Sequence, residues 1–146
     1  EMCKETEITI RTYPIRLTEE NAQEIISQYD IVVDGCDNFS TRYLINDICA
    51  KMGKVYVYGA ICGFEGQVSV FHYGEEKKSY RDLYPDEEEM RRMPPPPKGV
   101  MGITPAVTGS IEATEVLKII CGFGEVLSGK LWTIDLRTLQ SNKFSL

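Results

Sequence analysis

The spacing of apolar and polar residues predicts that strands and helices alternate through the first half of the chain. Residues 8–12 alternate apolar and polar side chains as a strand does, and Thr18 precedes an acidic first turn that predicts a helix as far as Gln28. The β-branched run at residues 31–33 is bounded by polar residues and followed at once by a helical pattern. Such a run is typical of a strand that is covered on both faces.

A second helix is predicted to begin near Phe39, because apolar side chains recur at helical spacing through residues 43–52, and Gly53 is predicted to end it. Alternating patterns then predict a strand at residues 54–59 and, after Gly66, another that includes residues 68–71. The sequence between these two strands, GAICGFEG, contains three glycines that permit tight backbone turns.

A long helix is predicted to begin with Thr104 as N-cap and Pro105 as first helical residue, and to end at Gly122. The residues predicted to face the sheet are Gly109, Ala113, Val116, Leu117 and Ile120. The residues predicted to face water are Glu112, Glu115 and Lys118. The small residues at the start of this helix favour its close approach to a sheet.

The last part of the chain is predicted to form a hairpin of strands at 131–137 and 142–146. We combine this hairpin with parallel strands near 8–12, 30–35 and 54–59. The element order then predicts an α/β fold, a Rossmann-like mixed sheet in which parallel strands are followed by antiparallel strands, with helices on its faces.

A long segment at residues 74–102 interrupts this pattern. It combines acidic residues at 87–89 with four consecutive prolines at 94–97, a composition predicted to oppose both helix and sheet. The residues predicted to anchor its start are Tyr80, Leu83 and Tyr84. Long connections of this kind are often lids, so residues 75–99 are predicted either to form a mobile cover over a binding site or to be a solvated excursion.

Composition and charge narrow the possible functions. A chain of 146 residues with 42% hydrophobic content predicts one globular domain. The net charge of -6, without a clustered basic face, disfavours nucleic acid as a partner, and the apolar runs are far shorter than a membrane span. The five cysteines show no C-x-x-C spacing, so neither a zinc site nor a disulfide framework is indicated. We therefore expect a cytoplasmic protein with reduced thiols and no nucleic-acid or membrane partner.

Polar residues directly after the predicted strand at 31–33 are the main candidates for a functional site. Asp34, Asp37 and Asn38 lie where open α/β sheets bind ligands, outside the carboxyl ends of the strands. The alternative is structural, because either Asp37 or Asn38 could cap the helix that begins near Phe39. The residues alone leave both interpretations open.

Four sequence segments, in this order, resemble the carboxyl-terminal half of the ThiF/MoeB/HesA family of ubiquitin-activating-enzyme-like adenylyltransferases. They are DGCDNFSTRYLIND, VYGAICGFEGQVSVFHY, SYRDLYP and GSIEATEVLKIICGFG. The resemblance implies that residues 1–146 form the carboxyl-terminal part of a domain that uses ATP and magnesium. This domain would adenylate the carboxyl-terminal glycine of a ubiquitin-like sulfur-carrier protein of the thiamin or molybdopterin type.

The same resemblance implies roles for single residues. Asp37 matches the aspartate expected to be catalytic and to hold the magnesium ion against the nucleotide phosphates. Cys36, Asp37 and Asn38 are expected to bind the nucleotide. Arg42 and Asn46 fit the family pattern D-N-x-x-x-R-x-x-x-N, and for them a structural role that ties the helix to neighbouring loops is expected.

The chain also departs from the family pattern. The glycine-rich loop and basic residues of the amino-terminal, nucleotide-binding half are absent from this sequence, so the isolated chain is expected to be inactive. It is expected to associate with the missing half or as a homodimer. Ser79 and Asp82 occupy positions where relatives carry zinc-binding cysteines, and no cysteine follows Cys121, which implies a branch without zinc.

Residues 74–102 lack the cysteine that some relatives use for a covalent link to the carrier. Adenylation alone is therefore the chemistry that the resemblance implies. The alternatives are a non-catalytic relative that binds proteins or dimerises, and an unrelated dinucleotide-binding domain. The second is disfavoured because no G-x-G-x-x-G follows a strand.

Overall fold

The computed structural model describes residues 8–94 and 99–146, and these residues form one sheet of five strands together with five helices. The strands are β1 (Ile31–Val33), β2 (Val55–Cys62), β3 (Glu65–Phe71), β4 (Lys130–Asp135) and β5 (Gln140–Ser145). The helices are α1 (Glu19–Ser27), α2 (Phe39–Met52), α3 (Tyr80–Leu83), α4 (Glu87–Arg92) and α5 (Ile103–Cys121).

The sheet is mixed, with the strands in the order β1-β2-β3-β4-β5. β1 pairs with β2 in parallel, and every later pair is antiparallel. This confirms the predicted Rossmann-like mixed sheet and the predicted hairpin at the end of the chain. β1 is the edge strand of the sheet in the part of the chain that the structure describes.

Two apolar clusters cover the two faces of this sheet. On one face, aromatic side chains of β2 and β3 pack against α1, α2 and α3, and this cluster includes Tyr43, Tyr56, Tyr58, Phe71 and Tyr80. On the other face, Val57, Val68, Val70 and Leu127 pack against apolar residues of α5. Helices therefore lie on both faces, as predicted.

The ends of the helices follow the predicted signals closely. Asn38 caps α2, and Gly53 ends it in the left-handed conformation with φ 62°. Gly122 ends α5 in the same way, with φ 67°. The start of α5 differs slightly, because Gly102 is the N-cap and Thr104 lies inside the helix, where its hydroxyl donates to Gly63 O at 2.9 Å.

The predicted strand at residues 8–12 is wrong. These residues are exposed and form no regular structure. A strand persists only when its N–H and C=O groups pair with a neighbouring strand, and β1, the edge strand of the described sheet, pairs with β2 alone. The predicted strand at 30–35 exists but is shorter, at Ile31–Val33.

The GAICGFEG sequence is mostly strand rather than loop. β2 extends to Cys62 and β3 begins at Glu65, so Gly59 and Gly66 lie inside paired strands. Among these glycines, Gly63 makes the turn, with φ 59°.

The segment at residues 74–102 contains two short helices, α3 and α4, contrary to the predicted lack of helix. Residues 87–89 form the first turn of α4, where acidic side chains favour the helix because they face its positive end. Asp86 caps α4 by accepting a bond from Glu89 N at 2.9 Å. Residues 95–98, which include most of the predicted polyproline run, lie outside the described residues.

The face of α5 that contacts the sheet was predicted correctly only in part, because Val116 packs against the sheet but other residues of the predicted face do not. Glu112 and Glu115 are buried, whereas Leu117 and Ile120 are 53% and 67% exposed. Glu115 is stabilised because its carboxylate accepts bonds from Leu127 N at 2.7 Å and Lys118 Nζ at 2.5 Å. Glu112 fits because Gly59 lies beneath it, and any side chain at Gly59 would overlap the Glu112 carboxylate.

Candidate functional site

Asp34, at the carboxyl end of β1, has a structural role. Its Oδ2 accepts bonds from Arg42 Nε at 3.0 Å and from Tyr56 Oη at 2.9 Å, and its Oδ1 accepts from Cys36 N at 2.7 Å. The carboxylate is buried, so its acceptor capacity is directed to protein groups rather than to solvent. Asp34 therefore organises the turn and is not free to bind a ligand, which corrects its place among the site candidates.

Arg42 holds the turn after β1 against β2. Besides its ion pair with Asp34, its Nη2 donates to Cys36 O at 2.5 Å and to Gly59 O at 3.4 Å. Burial disfavours the charged guanidinium, but the nearby Asp34 carboxylate outweighs this and raises the pKa of Arg42. The structural role expected for Arg42 is confirmed by these bonds.

Asn46 ties α2 to the beginning of the segment at 74–102. Its Oδ1 accepts bonds from Tyr80 N at 2.9 Å, Ser79 Oγ at 3.3 Å and His72 Nε2 at 3.0 Å. A donating Nε2 assigns the proton of neutral His72 to that nitrogen, and burial lowers the pKa of His72. The expected structural role of Asn46 is therefore also confirmed.

The sequence left open whether Asp37 or Asn38 caps α2, and the structure assigns the cap to Asn38. Asn38 caps α2, because its Oδ1 accepts a bond from Thr41 N at 2.9 Å. Its Nδ2 donates to Asp37 Oδ1 at 3.1 Å, which orients the neighbouring carboxylate. Asp37 itself is exposed in the turn that follows β1, and the helix does not depend on it for a cap.

The position of Asp37 fits a magnesium ion. Magnesium prefers hard oxygen ligands and commonly keeps several waters while it takes one or two carboxylates, so an exposed aspartate can hold it together with a substrate phosphate. Within residues 8–94 and 99–146, no group of three or more His, Cys, Asp or Glu side chains is placed to hold a metal ion by itself. A site at Asp37 therefore needs ligands from a bound substrate or from water.

Cys36, next to Asp37, is half-buried and carries a protonated thiol at neutral pH. Burial, together with the negative charge of Asp34, raises the pKa of Cys36 to about 12. Since the thiolate is the nucleophilic form, this environment does not activate Cys36. Its proximity to the turn is compatible with a place in the wall of a binding pocket.

A crevice opens beside this turn, between the end of β1 and the first half of α5. The residues that line it are Asp34, Gly35, Cys36, Arg42, Gly59, Ala60, Ile61, Pro105, Thr108 and Glu112. It lies at the carboxyl end of β1, where ligands are expected in such sheets. The crevice therefore connects the predicted turn with residues of α5 that the sequence analysis did not propose as site residues.

Glu112 is the unusual group in this crevice. It is 6% exposed, and among the described residues its Oε1 has no hydrogen-bond partner. Burial, reinforced by the negative charge of Asp34, raises the pKa of Glu112 to about 7. The sequence offered one indirect signal for it, the glycine at position 59 inside a strand, because such a glycine often marks a close approach.

Titration of Glu112 is expected to make the free energy of unfolding depend on pH. The pKa of Glu112 rises from the ordinary 4.5 to about 7 on folding, so between these values the folded chain binds more protons than the unfolded chain. Stability should therefore be full below the unfolded pKa and should fall as pH rises through about 7.

Urea unfolding of the wild-type chain and Glu112→Gln across this pH range measures the effect. The wild type should lose more stability with rising pH than the variant does. His72, whose pKa is lowered, contributes a change of the opposite sign in both proteins, so the difference between them is the informative quantity. Parallel pH profiles would show that Glu112 does not titrate in this range.

In the described part of the chain, no helix is long and apolar enough to cross a lipid bilayer.

Basic side chains, which would bind the phosphates of a nucleoside triphosphate, are scarce in the described part of this crevice. Arg42 is the basic residue that lines the crevice, and it is already bound to Asp34. The arrangement therefore provides an exposed carboxylate beside a crevice whose basic residue is already engaged in an ion pair.

Known sequences that resemble this chain are longer adenylyltransferases. The chain is 45% identical over 139 residues to a probable molybdopterin-synthase adenylyltransferase from Pyropia yezoensis, and the match covers 94% of this chain and 36% of that protein. It is 46% identical over 140 residues to the sulfur carrier protein adenylyltransferase of Thermus thermophilus, covering 88% of this chain and 49% of that protein. The chain thus spans less than half the length of these relatives.

Solved structures share the fold at low sequence identity. The Escherichia coli MccB structure with ATP superposes with a TM-score of 0.66 at 18% identity, covering 90% of this chain and 41% of that chain. A selenomethionine structure of PaaA gives a TM-score of 0.66 at 12% identity, covering 88% and 38%. The ThiF family profile matches residues 3–146. This match, together with the relatives, confirms the resemblance seen in the sequence, and the chain belongs to the ThiF family.

Proposed function

We propose that this chain is the carboxyl-terminal part of an ATP-dependent adenylyltransferase that activates the carboxyl-terminal glycine of a ubiquitin-like sulfur-carrier protein. The observation that carries the proposal is that, of the two neighbouring polar residues after β1, one caps α2 and the other is exposed. Asn38 caps the helix, which leaves the exposed Asp37 carboxylate available at the carboxyl end of a strand. The names of relatives such as the sulfur carrier protein adenylyltransferase of Thermus thermophilus support the same reaction.

In the proposed reaction, the carrier carboxylate attacks the α-phosphorus of ATP. A carboxyl–phosphate bond forms, the bond to the β-phosphate breaks, and the products are a carrier acyl-adenylate and pyrophosphate. Asp37 would hold the magnesium ion against the phosphates, and Asn38 would orient Asp37 through its amide. The ion, when bound, would offset the charge that develops on the α-phosphate. Cys36 would line the nucleotide pocket as a neutral thiol.

The proposed activity requires more protein than this chain provides. Val33 of the edge strand is 48% exposed, and it borders a groove with the apolar residues Ala113 and Leu117 of α5. Proteins rarely leave a strand edge and an apolar face uncovered together. We infer that an amino-terminal half of the same polypeptide, or a second copy, covers this groove and supplies the basic groups for the phosphates.

We also propose that residues 75–99 act as a cover over the carrier tail. Tyr80 and Tyr84 would anchor its beginning, because Tyr80 is buried in the aromatic cluster and Tyr84 O accepts a bond from Tyr43 Oη at 2.8 Å. Of its described residues, those at 85–94 would move when the tail enters, as lids over water-sensitive intermediates do.

The proposed function is tested by exchange of labelled pyrophosphate into ATP. We expect the complete polypeptide that contains this chain to catalyse exchange only when magnesium and a sulfur-carrier protein with a terminal glycine are both present. The isolated 146-residue chain should show none. A carrier that lacks its terminal glycine is the matched control. Absence of exchange with a panel of sulfur carriers, in a folded complete polypeptide that binds ATP, would support a binding protein instead.

A further inference from the structure

Two polar side chains of α5 are buried in the crevice without partners. Thr108 is 2% exposed and Glu112 is 6% exposed, and both line the crevice that reaches Cys36. Among the described residues, neither Thr108 Oγ1 nor Glu112 Oε1 has a hydrogen-bond partner. Buried polar atoms in native proteins are nearly always bonded, so two neighbouring exceptions need a reason.

The two strands that face Thr108 and Glu112 carry glycines at the points of contact. Gly59 lies under the Glu112 carboxylate and Gly66 lies under the Thr108 hydroxyl, and a methyl group at either glycine would overlap them. Gly35 adds a third position without a side chain on the same crevice wall. These glycines therefore make room for the Glu112 and Thr108 side chains themselves, which places the two polar groups at the crevice wall.

The spacing of the two groups also suits an extended backbone. Thr108 and Glu112 are one helical turn apart, which separates them by about 6 Å along α5. In an extended peptide, N–H groups of alternate residues point the same way at a spacing of roughly 6–7 Å. Two acceptors on one turn of a helix can therefore receive two such groups.

The charges in the crevice also favour a peptide backbone as the ligand. Arg42 and Asp34 neutralise each other at 3.0 Å, so the crevice wall has no free basic group for a phosphate, and among the described residues Glu112 Oε1 has no partner. A carboxyl group keeps an oxygen that accepts a bond from an N–H donor whether it is ionised or protonated. The nucleotide is thus disfavoured at this end of the crevice, whereas a peptide backbone is favoured.

We propose that Thr108 and Glu112 bind backbone N–H groups of the glycine-terminated tail of the carrier protein and direct its carboxylate toward Asp37. This assignment rests on the proposed function. It makes the two residues determinants of carrier binding that act at a distance from the nucleotide. When the tail enters, Thr108 Oγ1 and Glu112 Oε1 would accept bonds from its N–H groups, and their side chains would rotate toward the crevice to do so.

The first test compares variants of the complete polypeptide in the pyrophosphate exchange assay. Thr108→Val and Glu112→Ala should each raise the KM for the carrier at least about tenfold, the loss expected for a hydrogen bond to a buried group, and leave the KM for ATP unchanged. Glu112→Gln keeps a carbonyl acceptor and should recover part of the loss. Thr114→Val is the matched control, because Thr114 lies on the exposed side of α5 and bonds to Ser110 O.

The second test removes the donors from the ligand instead. A carrier whose last residues are replaced by N-methylglycine lacks the backbone N–H groups and should bind the wild-type enzyme more weakly in titration calorimetry. The double variant Thr108→Val/Glu112→Ala should not distinguish this carrier from the unmodified one. This comparison does not depend on the single variants, because it needs only the wild type and the double variant.

Three results would overturn the proposal. The first is an unchanged carrier KM in both Thr108→Val and Glu112→Ala while wild-type exchange is normal. The second is a larger change in the KM for ATP than in that for the carrier. The third is an equal loss on N-methylation in the wild type and in the double variant. Failure of the proposed function would look different, because wild-type exchange itself would then be absent with every carrier.

Discussion

Replacement of Asp37 by alanine is expected to reduce carrier-dependent pyrophosphate exchange at least about 100-fold, since loss of one group that stabilises transition-state charge typically has an effect of this size. The melting temperature should change by less than about 2 °C, because exposed substitutions away from caps and ion pairs are usually near neutral. Asp37 is exposed, and the cap of α2 comes from Asn38. Exchange kinetics and a thermal melt of the complete polypeptide measure both quantities.

Asn38→Ala is the comparison for stability rather than for exchange, because it removes the adjacent side chain that caps α2 and also orients Asp37. It should lower stability by about 1 kcal/mol through loss of the cap bond to Thr41 N. Asp37→Asn keeps the shape of the side chain and removes its charge, so it should lose exchange nearly as fully as alanine does. If Asp37→Ala unfolds the protein while exchange survives in the folded fraction, Asp37 has a structural role and does not hold the metal.

The parts of the fold that the sequence predicted correctly depend on local signals. Asn38 and Gly53 bound α2 because a side-chain cap and a left-handed glycine each act on backbone groups only a few residues away. The strand at 31–33 was found because a β-branched run bounded by polar residues has a distinctive composition, although the predicted cover on both faces is incomplete at Val33, which is 48% exposed. The position of the candidate site follows from these local elements, since it lies where β1 meets α2.

The predictions that failed concern contacts between distant parts of the chain. Whether residues 8–12 form a strand depends on a neighbour that the described residues do not supply. The orientation of α5 depends on Gly59, whose missing side chain makes room for Glu112, and on Leu127 N, which binds Glu115. A helical pattern by itself assigns glutamates to solvent, so it cannot reveal partners that lie far away in sequence.

The two aspartates at the site also differ through contacts with residues elsewhere in the chain, which local sequence does not reveal. Asp34 and Asp37 lie in one short turn, and residue type alone gives no reason to separate them. The separation comes from Arg42, one turn into α2, and from Tyr56 on the next strand, which together bind Asp34. The ion pair is therefore what leaves Asp37 as the carboxylate available to a ligand.

Removal of Arg42 is expected to have the largest effect on stability. Arg42→Met should lower the free energy of unfolding by about 3–5 kcal/mol, the range measured when one partner of a buried ion pair is removed. The cause is that the Asp34 carboxylate would remain buried without its countercharge, and Cys36 O and Gly59 O would lose a donor. Urea unfolding of the wild type and the variant measures the difference.

The double variant Arg42→Met/Asp34→Asn separates the cost of the stranded charge from the cost of lost packing. It should be more stable than Arg42→Met alone, because the amide at position 34 leaves no buried charge, and it can still accept a bond from Tyr56 Oη. Arg42→Lys should fall between the wild type and Arg42→Met, since lysine keeps the charge but cannot donate in the same fork to Asp34 and the two carbonyls. If the double variant is as unstable as Arg42→Met, the destabilisation comes from the lost contacts with Cys36 and Gly59. The turn that presents Asp37 would then be held by these carbonyl bonds more than by the ion pair.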